Sequence, residues 1–125
     1  MSSSSTHSHV LLVDDDADVL DALGTLLELH GIVVDRAPSA GAALDTLAHG
    51  PRPCLALLDI RMPGMSGWDL WRRMQRDPAT DGIPVVLVSG EDVDRQAARA
   101  EGVLDVLRKP IDAHQVLDLV ARVRG

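Results

Sequence analysis

The chain has 125 residues, 46% hydrophobic and 25% charged, with a net charge of -7. That size and balance fit one globular domain with a single substantial core, and exclude a disordered or fibrous polymer. The acidic charge speaks against nucleic-acid binding, no apolar run approaches a membrane span, and a lone cysteine excludes an internal disulfide; a soluble domain in the reducing cytoplasm is expected.

Residues 1–9 are Ser-rich, with neither a basic nor an apolar signal region, and read as a flexible leader before a folded domain over 10–125. Val10-Leu11-Leu12-Val13 is a short apolar strand. Val19, Leu20, Leu23, Leu26, Leu27 and His30 then recur at helical spacing until Gly31 stops them. Ile32-Val33-Val34 is β-branched and strand-like. Ser39 caps a second helix with Leu44 and Leu47 inward, ending at His49-Gly50. Cys54 to Leu58 is a third strand, with Cys54 a small core residue. Ser66 caps a helix carrying Leu70, Trp71 and Met74, which Asp77-Pro78 ends. Pro84 to Val88 is the fourth strand, and Asp92 to Ala100 a weaker, Ala-rich helix. Val103 to Leu107 is the fifth strand, and Asp112 caps a last helix with Val116, Leu117, Val120 and Val123. With no Phe, no Tyr and two Trp, the core must be aliphatic.

Continuous rather than alternating apolar strands are buried on both faces, which calls for a parallel sheet covered by helices. Right-handed crossovers then give a doubly wound α/β fold of five strands and five helices. In such sheets ligands bind beyond the carboxyl ends of the strands, where the strand order reverses. Asp14 and Asp15, Asp59, Ser89 and Lys109 all stand at those ends.

These residue types suggest a specific chemistry. Two carboxylates about 5 Å apart repel by roughly 3 kcal/mol at an effective dielectric of 20. Protonation relieves this, and so does a hard dication, with Mg²⁺ or Mn²⁺ suited to all-oxygen ligands. One carboxylate can then attack a phosphoryl donor and form an acyl phosphate, while Lys109 and Ser89 offer an ammonium and a hydroxyl to its oxygens. Asp59 is the best nucleophile, because Pro63-Gly64 sets a tight turn after it. Asp14 and Asp15 are the better metal ligands, and Asp16 caps the first helix.

Val13-Asp14-Asp15-Asp16, Leu58-Asp59-Ile60-Arg61-Met62-Pro63-Gly64-Met65-Ser66-Gly67, Val88-Ser89-Gly90 and Lys109-Pro110 together resemble the receiver domain of bacterial two-component response regulators, of the CheY-like superfamily. The likeness runs from about residue 10 to 124. It implies a flavodoxin-like sheet of order 2-1-3-4-5. It also implies a module that catalyses only its own phosphorylation and dephosphorylation and is not otherwise an enzyme. Asp59 would accept phosphate from a sensor kinase histidine or a histidine phosphotransfer protein, with Mg²⁺ held by Asp14, Asp15, Asp59 and the Arg61 backbone carbonyl. Ser89 would be the switch hydroxyl and Lys109 the phosphoryl-contacting lysine, followed by a cis peptide bond. Homodimerisation is a further interaction open to such a module.

Two departures matter. The family usually carries Tyr or Phe where Val106 stands, so the ring that turns inward with the switch hydroxyl is missing. Arg61 and Glu91, two residues past Asp59 and Ser89, face each other as a salt bridge that modulates phosphoryl lifetime, or else are two solvated charges. Among competing readings, a dehalogenase-type phosphatase needs a second aspartate where Arg61 stands. A nucleotide- or flavin-binding domain needs a Gly-rich loop where Asp14-Asp15-Asp16 stand. A degenerate receiver acting as a phosphorylation-independent scaffold is the remaining alternative. His30 and His49 read as helix-end residues favoured by the macrodipole, His7 and His9 as part of the leader with too few neighbouring ligands for a metal, and His114 as an exposed group in the first turn of the last helix. Trp68 and Trp71 read as partly buried against the sheet, and Arg72, Arg73 and Arg76 as a solvated helix face.

Overall fold

The computed structural model describes residues 8–124. Five strands and five helices alternate: β1 (Ser8–Val13), α1 (Ala17–Glu28), β2 (Ile32–Ala37), α2 (Ala40–His49), β3 (Leu55–Asp59), α3 (Gly67–Gln75), β4 (Val85–Ser89), α4 (Arg95–Glu101), β5 (Asp105–Arg108) and α5 (Ala113–Arg124). All strand pairs are parallel and the sheet order is β2-β1-β3-β4-β5. The doubly wound architecture expected from the strand pattern is therefore the observed one.

Period-two alternation divides each strand between two cores. Leu11, Val13, Ala56, Leu58, Val85, Leu87 and Val106 point to the face covered by α2, α3 and α4, against Ala43, Leu70, Trp71, Met74 and Ala98. Val10, Leu12, Leu55, Leu57, Val86, Val88 and Leu107 point to the other face, against Leu20, Leu23 and Leu27 of α1 and Val116, Leu119 and Val120 of α5. Each fully buried Leu or Val contributes roughly 1.5–3 kcal/mol relative to exposure, so the aliphatic composition suffices without aromatic rings from Phe or Tyr.

The caps follow the sequence closely. The Asp16 carboxylate accepts from the Asp18 amide, and Ser39 accepts from Ala42. Ser66 and Asp69 form a reciprocal capping box on α3. The Asp112 carboxylate accepts from the His114 amide at the start of α5. Gly31 takes φ +82° after α1, and Gly64 takes φ +80° in the turn after β3, the left-handed conformation that favours glycine.

Several boundaries differ from expectation. β1 starts at Ser8 and includes His9, because both pair with β2 at Ile32 and Val33; residues 1–7 of the expected leader lie outside the described residues. β2 runs on through Asp35 and Arg36 to Ala37. Arg36 is polar yet belongs there: its guanidinium bonds the Leu20 carbonyl and Glu28, tying β2 to α1. Cys54 precedes β3 and is only half-buried, and burial pushes its thiol pKa up. Helix α4 starts at Arg95 rather than Asp92, with Asp94 as its cap. Leu26 is 46% exposed despite its place in the helical pattern. In α2 the fully buried residues are Ala40 and Ala43, with Leu44 and Leu47 packed at the margin. In α5, Leu119 is buried while Leu117 and Val123 are half-exposed.

β5 opens at Asp105, not Val103. Asp105 is a charged residue buried at a strand start, held by a two-point pair from Arg95 (3.0 and 2.8 Å) and by Arg99 (3.2 Å). Burial alone would raise its carboxyl pKa. The hydrogen bonds from Arg95, its neighbour's amide and Arg99 outweigh that and hold it below the usual range. This clamp attaches the short α4, which buries only Ala98, to the sheet.

Candidate functional site

Because β1 lies between β2 and β3, the chain reverses direction across the sheet at the β1/β3 edge, and a crevice opens beyond their carboxyl ends. Val13 and Leu58 are register partners, so Asp14 and Asp59, the next residue in each case, arrive side by side. Asp14 is 2% exposed and Asp59 4%. Asp15 is exposed, and carboxylate oxygens of Asp14, Asp15 and Asp59 lie within 4.8 Å of one another. Lys109, beyond the end of β5, reaches back over the sheet. Its Nζ donates to Asp14 Oδ2 at 2.9 Å and to Asp59 Oδ2 at 3.4 Å. The other Asp59 oxygen accepts from the Arg61 amide at 3.3 Å, and Asp14 Oδ1 accepts from the Asp16 amide at 2.9 Å.

Three carboxylates balanced by one ammonium leave a net negative site. Burial, together with the Asp14 charge, raises the Asp59 pKa to about 6 against the opposing pull of Lys109 and the Arg61 amide. Burial would lower the Lys109 pKa, but its bonds and charges with Asp14 and Asp59 prevail and raise it. An oxygen-only, half-closed cluster with unneutralised charge fits a hard dication of the Mg²⁺ class. The Arg61 peptide, held against Asp59 by its amide, lies beside the cluster.

Ser89 ends β4, and its backbone carbonyl accepts from the Lys109 amide at 2.8 Å. Its hydroxyl is engaged with Glu91, accepting from the amide at 3.0 Å and donating to the carbonyl at 2.9 Å. Arg61 and Glu91 do meet, as an ion pair across the mouth of the crevice, with side chains 80% and 62% exposed. The sequence pattern thus brings Asp14, Asp15, Asp59, Arg61, Ser89, Glu91 and Lys109 to one end of the sheet. Val106 lies apart, buried in the α4 side of the core. The Lys109-Pro110 bond is cis.

Residues 10–121 match the response regulator receiver domain family. The chain belongs to that family. This receiver is 33% identical over 118 residues to protein PilH of Pseudomonas aeruginosa, covering 93% of this chain and 97% of PilH. It is 34% identical over 120 residues to the transcriptional regulatory protein CpxR homolog of Haemophilus influenzae, where it covers 94% of this chain but 49% of the relative. Among solved structures, a response regulator receiver protein from Pseudomonas putida superposes with a TM-score of 0.82 at 34% identity, covering 93% and 97% of the two chains. The same module therefore fills nearly all of some relatives and half of others. No helix among the described residues is long and apolar enough to cross a membrane.

Two features of the receiver were not legible in its sequence. The β4–α4 loop, which carries the expected Arg61–Glu91 pair on one flank, is pinned on the other by an ion pair of Arg108 with Asp92. Beside Lys109 an apolar groove of about 440 Å³ opens between α1 and the β5–α5 loop, lined by Val19, Ala22, Leu23, Leu26, Pro110 and Ile111. Leu26 is the signal for it in the sequence: α1 carries more apolar residues than its core face needs.

Proposed function

We propose that Asp59 accepts a phosphoryl group from a phosphohistidine, supplied by a sensor kinase or a histidine phosphotransfer protein. The observation that carries the reading is the buried Asp59 carboxylate, sharing a negative cluster with Asp14 and Asp15 and reached by Lys109. An Asp59 oxygen attacks phosphorus, the P–N bond breaks, and the imidazole nitrogen keeps the electron pair. The product is an acyl phosphate on Asp59. Asp14, Asp15, Asp59 and the Arg61 carbonyl would hold Mg²⁺ (or Mn²⁺), which when bound offsets phosphoryl charge. Lys109 turns its ammonium from the carboxylates to the new phosphoryl oxygens, and Ser89 leaves the Glu91 backbone to donate to another. The apolar groove beside Lys109 supports the partner assignment, because a donor placing a histidine over Asp59 would cover it.

The test is intact mass after incubation with acetyl phosphate, with and without Mg²⁺, beside Asp59→Asn. A Mg²⁺-dependent gain of one phosphoryl group that the variant lacks is expected. No gain by the folded wild-type protein would favour the phosphorylation-independent scaffold.

The Arg61–Glu91 pair shields the acyl phosphate from water in this reading. Exposed pairs are weak, worth up to about 1 kcal/mol. Arg61→Ala and Glu91→Ala should therefore each speed loss of the phosphoryl group by about 1.5- to 5-fold. Unchanged decay in both variants would remove the pair from the mechanism.

Val106 cannot swing a ring between surface and core. The Asp105 clamp also holds α4 to β5 independently of Ser89. On phosphorylation, amide shifts across α4, β5 and α5 should be smaller than those around Ser89. Large, cooperative shifts from Val103 through α5 would show that the signal crosses that face without an aromatic residue.

A further inference from the structure

We propose that His30 and His114 form a binding site for a borderline transition-metal dication of the Zn²⁺ class, separate from the acidic cluster. His30 lies in the turn after α1 and His114 in the first turn of α5. They are 84 residues apart in sequence, yet their rings meet edge to face with centroids 6.2 Å apart. The helices that carry them share one core, Leu20, Leu23 and Leu27 against Val116, Leu119 and Val120, so the two positions are held in register by packing rather than by the histidines themselves.

The chemistry of His30 is set by its neighbour. Its Nδ1 lies 2.9 Å from the Leu26 carbonyl oxygen. A carbonyl can only accept, so Nδ1 carries the proton and Nε2 presents its lone pair. This is the arrangement by which a second hydrogen bond prepares a metal-binding imidazole. His114 is exposed and free to turn. With metal–nitrogen bonds of roughly 2.0–2.1 Å, two imidazoles sharing an ion place their centroids roughly 5 to 6 Å apart, so a modest rotation of His114 completes the pair. Water would fill the remaining positions, as both residues face solvent. Imidazole nitrogen prefers Zn²⁺, Cu²⁺ or Ni²⁺ over the hard ions suited to the three aspartates, so with Mg²⁺ in excess the acidic cluster is occupied and Zn²⁺ at the imidazoles is read separately. A bound ion would join the end of α1 to the start of α5 beside the groove that Leu26 and Ile111 line.

The protein contains its own control. His49, at the end of α2, makes the same contact through Nδ1 to the Asp45 carbonyl at 3.0 Å and is likewise exposed, but has no facing histidine among the described residues. The experiment is a Zn²⁺ titration of the full chain in excess Mg²⁺, followed residue by residue through the side-chain nitrogen signals of the histidines. His30 and His114 should respond together, at lower Zn²⁺ than His49. His114→Ala should raise the Zn²⁺ needed at His30 roughly tenfold or more, because the second ligand acts at high effective concentration. If His30 tracks His49 in the wild type, or is indifferent to His114→Ala, the pair is a ring contact only and the proposal fails.

Discussion

Asp59→Asn should make the fold more stable at neutral pH while abolishing phosphoryl uptake. In the native state the Asp59 pKa stands at about 6, raised chiefly by burial and then by Asp14, against about 3.9 in an unfolded chain. The folded protein therefore binds the extra proton more tightly than the unfolded one, and its stability falls with pH across that interval. Below about pH 4 both states are protonated and the residue is neutral to stability. As pH rises toward and through 6 the penalty accrues, and above it the penalty is complete. After allowance for solvent screening this amounts to about 1–2 kcal/mol. Asparagine keeps the shape and removes the charge, and Lys109 retains Asp14 at 2.9 Å. In urea unfolding, the variant's advantage over wild type should be small near pH 4 and grow to pH 7. Mg²⁺ should stabilise wild type more than the variant, because it relieves the same repulsion. A stability difference independent of pH, or a variant less stable than wild type at pH 7, would show that repulsion does not govern the site.

Gly67→Ala is expected to be the most damaging small substitution near the site. A Cβ at Gly67 would stand 2.4 Å from the Asp59 carbonyl oxygen, 2.9 Å from its carbonyl carbon and 3.0 Å from the Ile60 Cα. All three are backbone atoms, so no side chain can move aside. Helix α3 must retreat from β3, straining the 3.0 Å bond from the Gly67 amide to the Ile60 carbonyl and loosening Leu70, Trp71 and Met74 in the core. Overpacking together with a weakened buried hydrogen bond predicts a loss of about 2–4 kcal/mol. It also predicts slower phosphorylation, since the strand that carries Asp59 is the one displaced. Gly41→Ala in α2 is the matched control: its added methyl meets only the Ser39 hydroxyl oxygen, at 3.9 Å, and should gain about 0.5 kcal/mol from helix propensity. Equal midpoints for the two variants in denaturant would contradict the close-approach explanation.

Much of the architecture and most of the site were legible from residue order. Continuous apolar strands can be satisfied only by burial on both faces, and the caps Asp16, Ser39, Ser66 and Asp112 announce their helices locally. Asp14, Asp15, Asp59, Ser89 and Lys109 stand at strand ends by residue order alone, and parallel strands all end on the same side. Local pattern is also where residue order misleads. Ser8, His9 and Arg36 look unlike strand residues, and they are strand because β1 and β2 pair through them. Leu26 fits the helical repeat, yet it is exposed because the buried arc of α1 is already filled by Leu20, Leu23 and Leu27.

What the sequence determined by itself is the fold class and the set of acidic, hydroxyl and ammonium groups at the carboxyl end of the sheet, since both depend on patterns within single segments and on a general rule of chain handedness. What only the tertiary structure decided are contacts between segments distant in the chain. These include the Arg95 and Arg99 clamp on Asp105, the Arg108–Asp92 pair, the facing of His30 and His114, and the contact that forbids a side chain at Gly67. Such contacts depend on the distance and angle at which packed elements approach, quantities set by the volume of the whole core and encoded in no one stretch of residues.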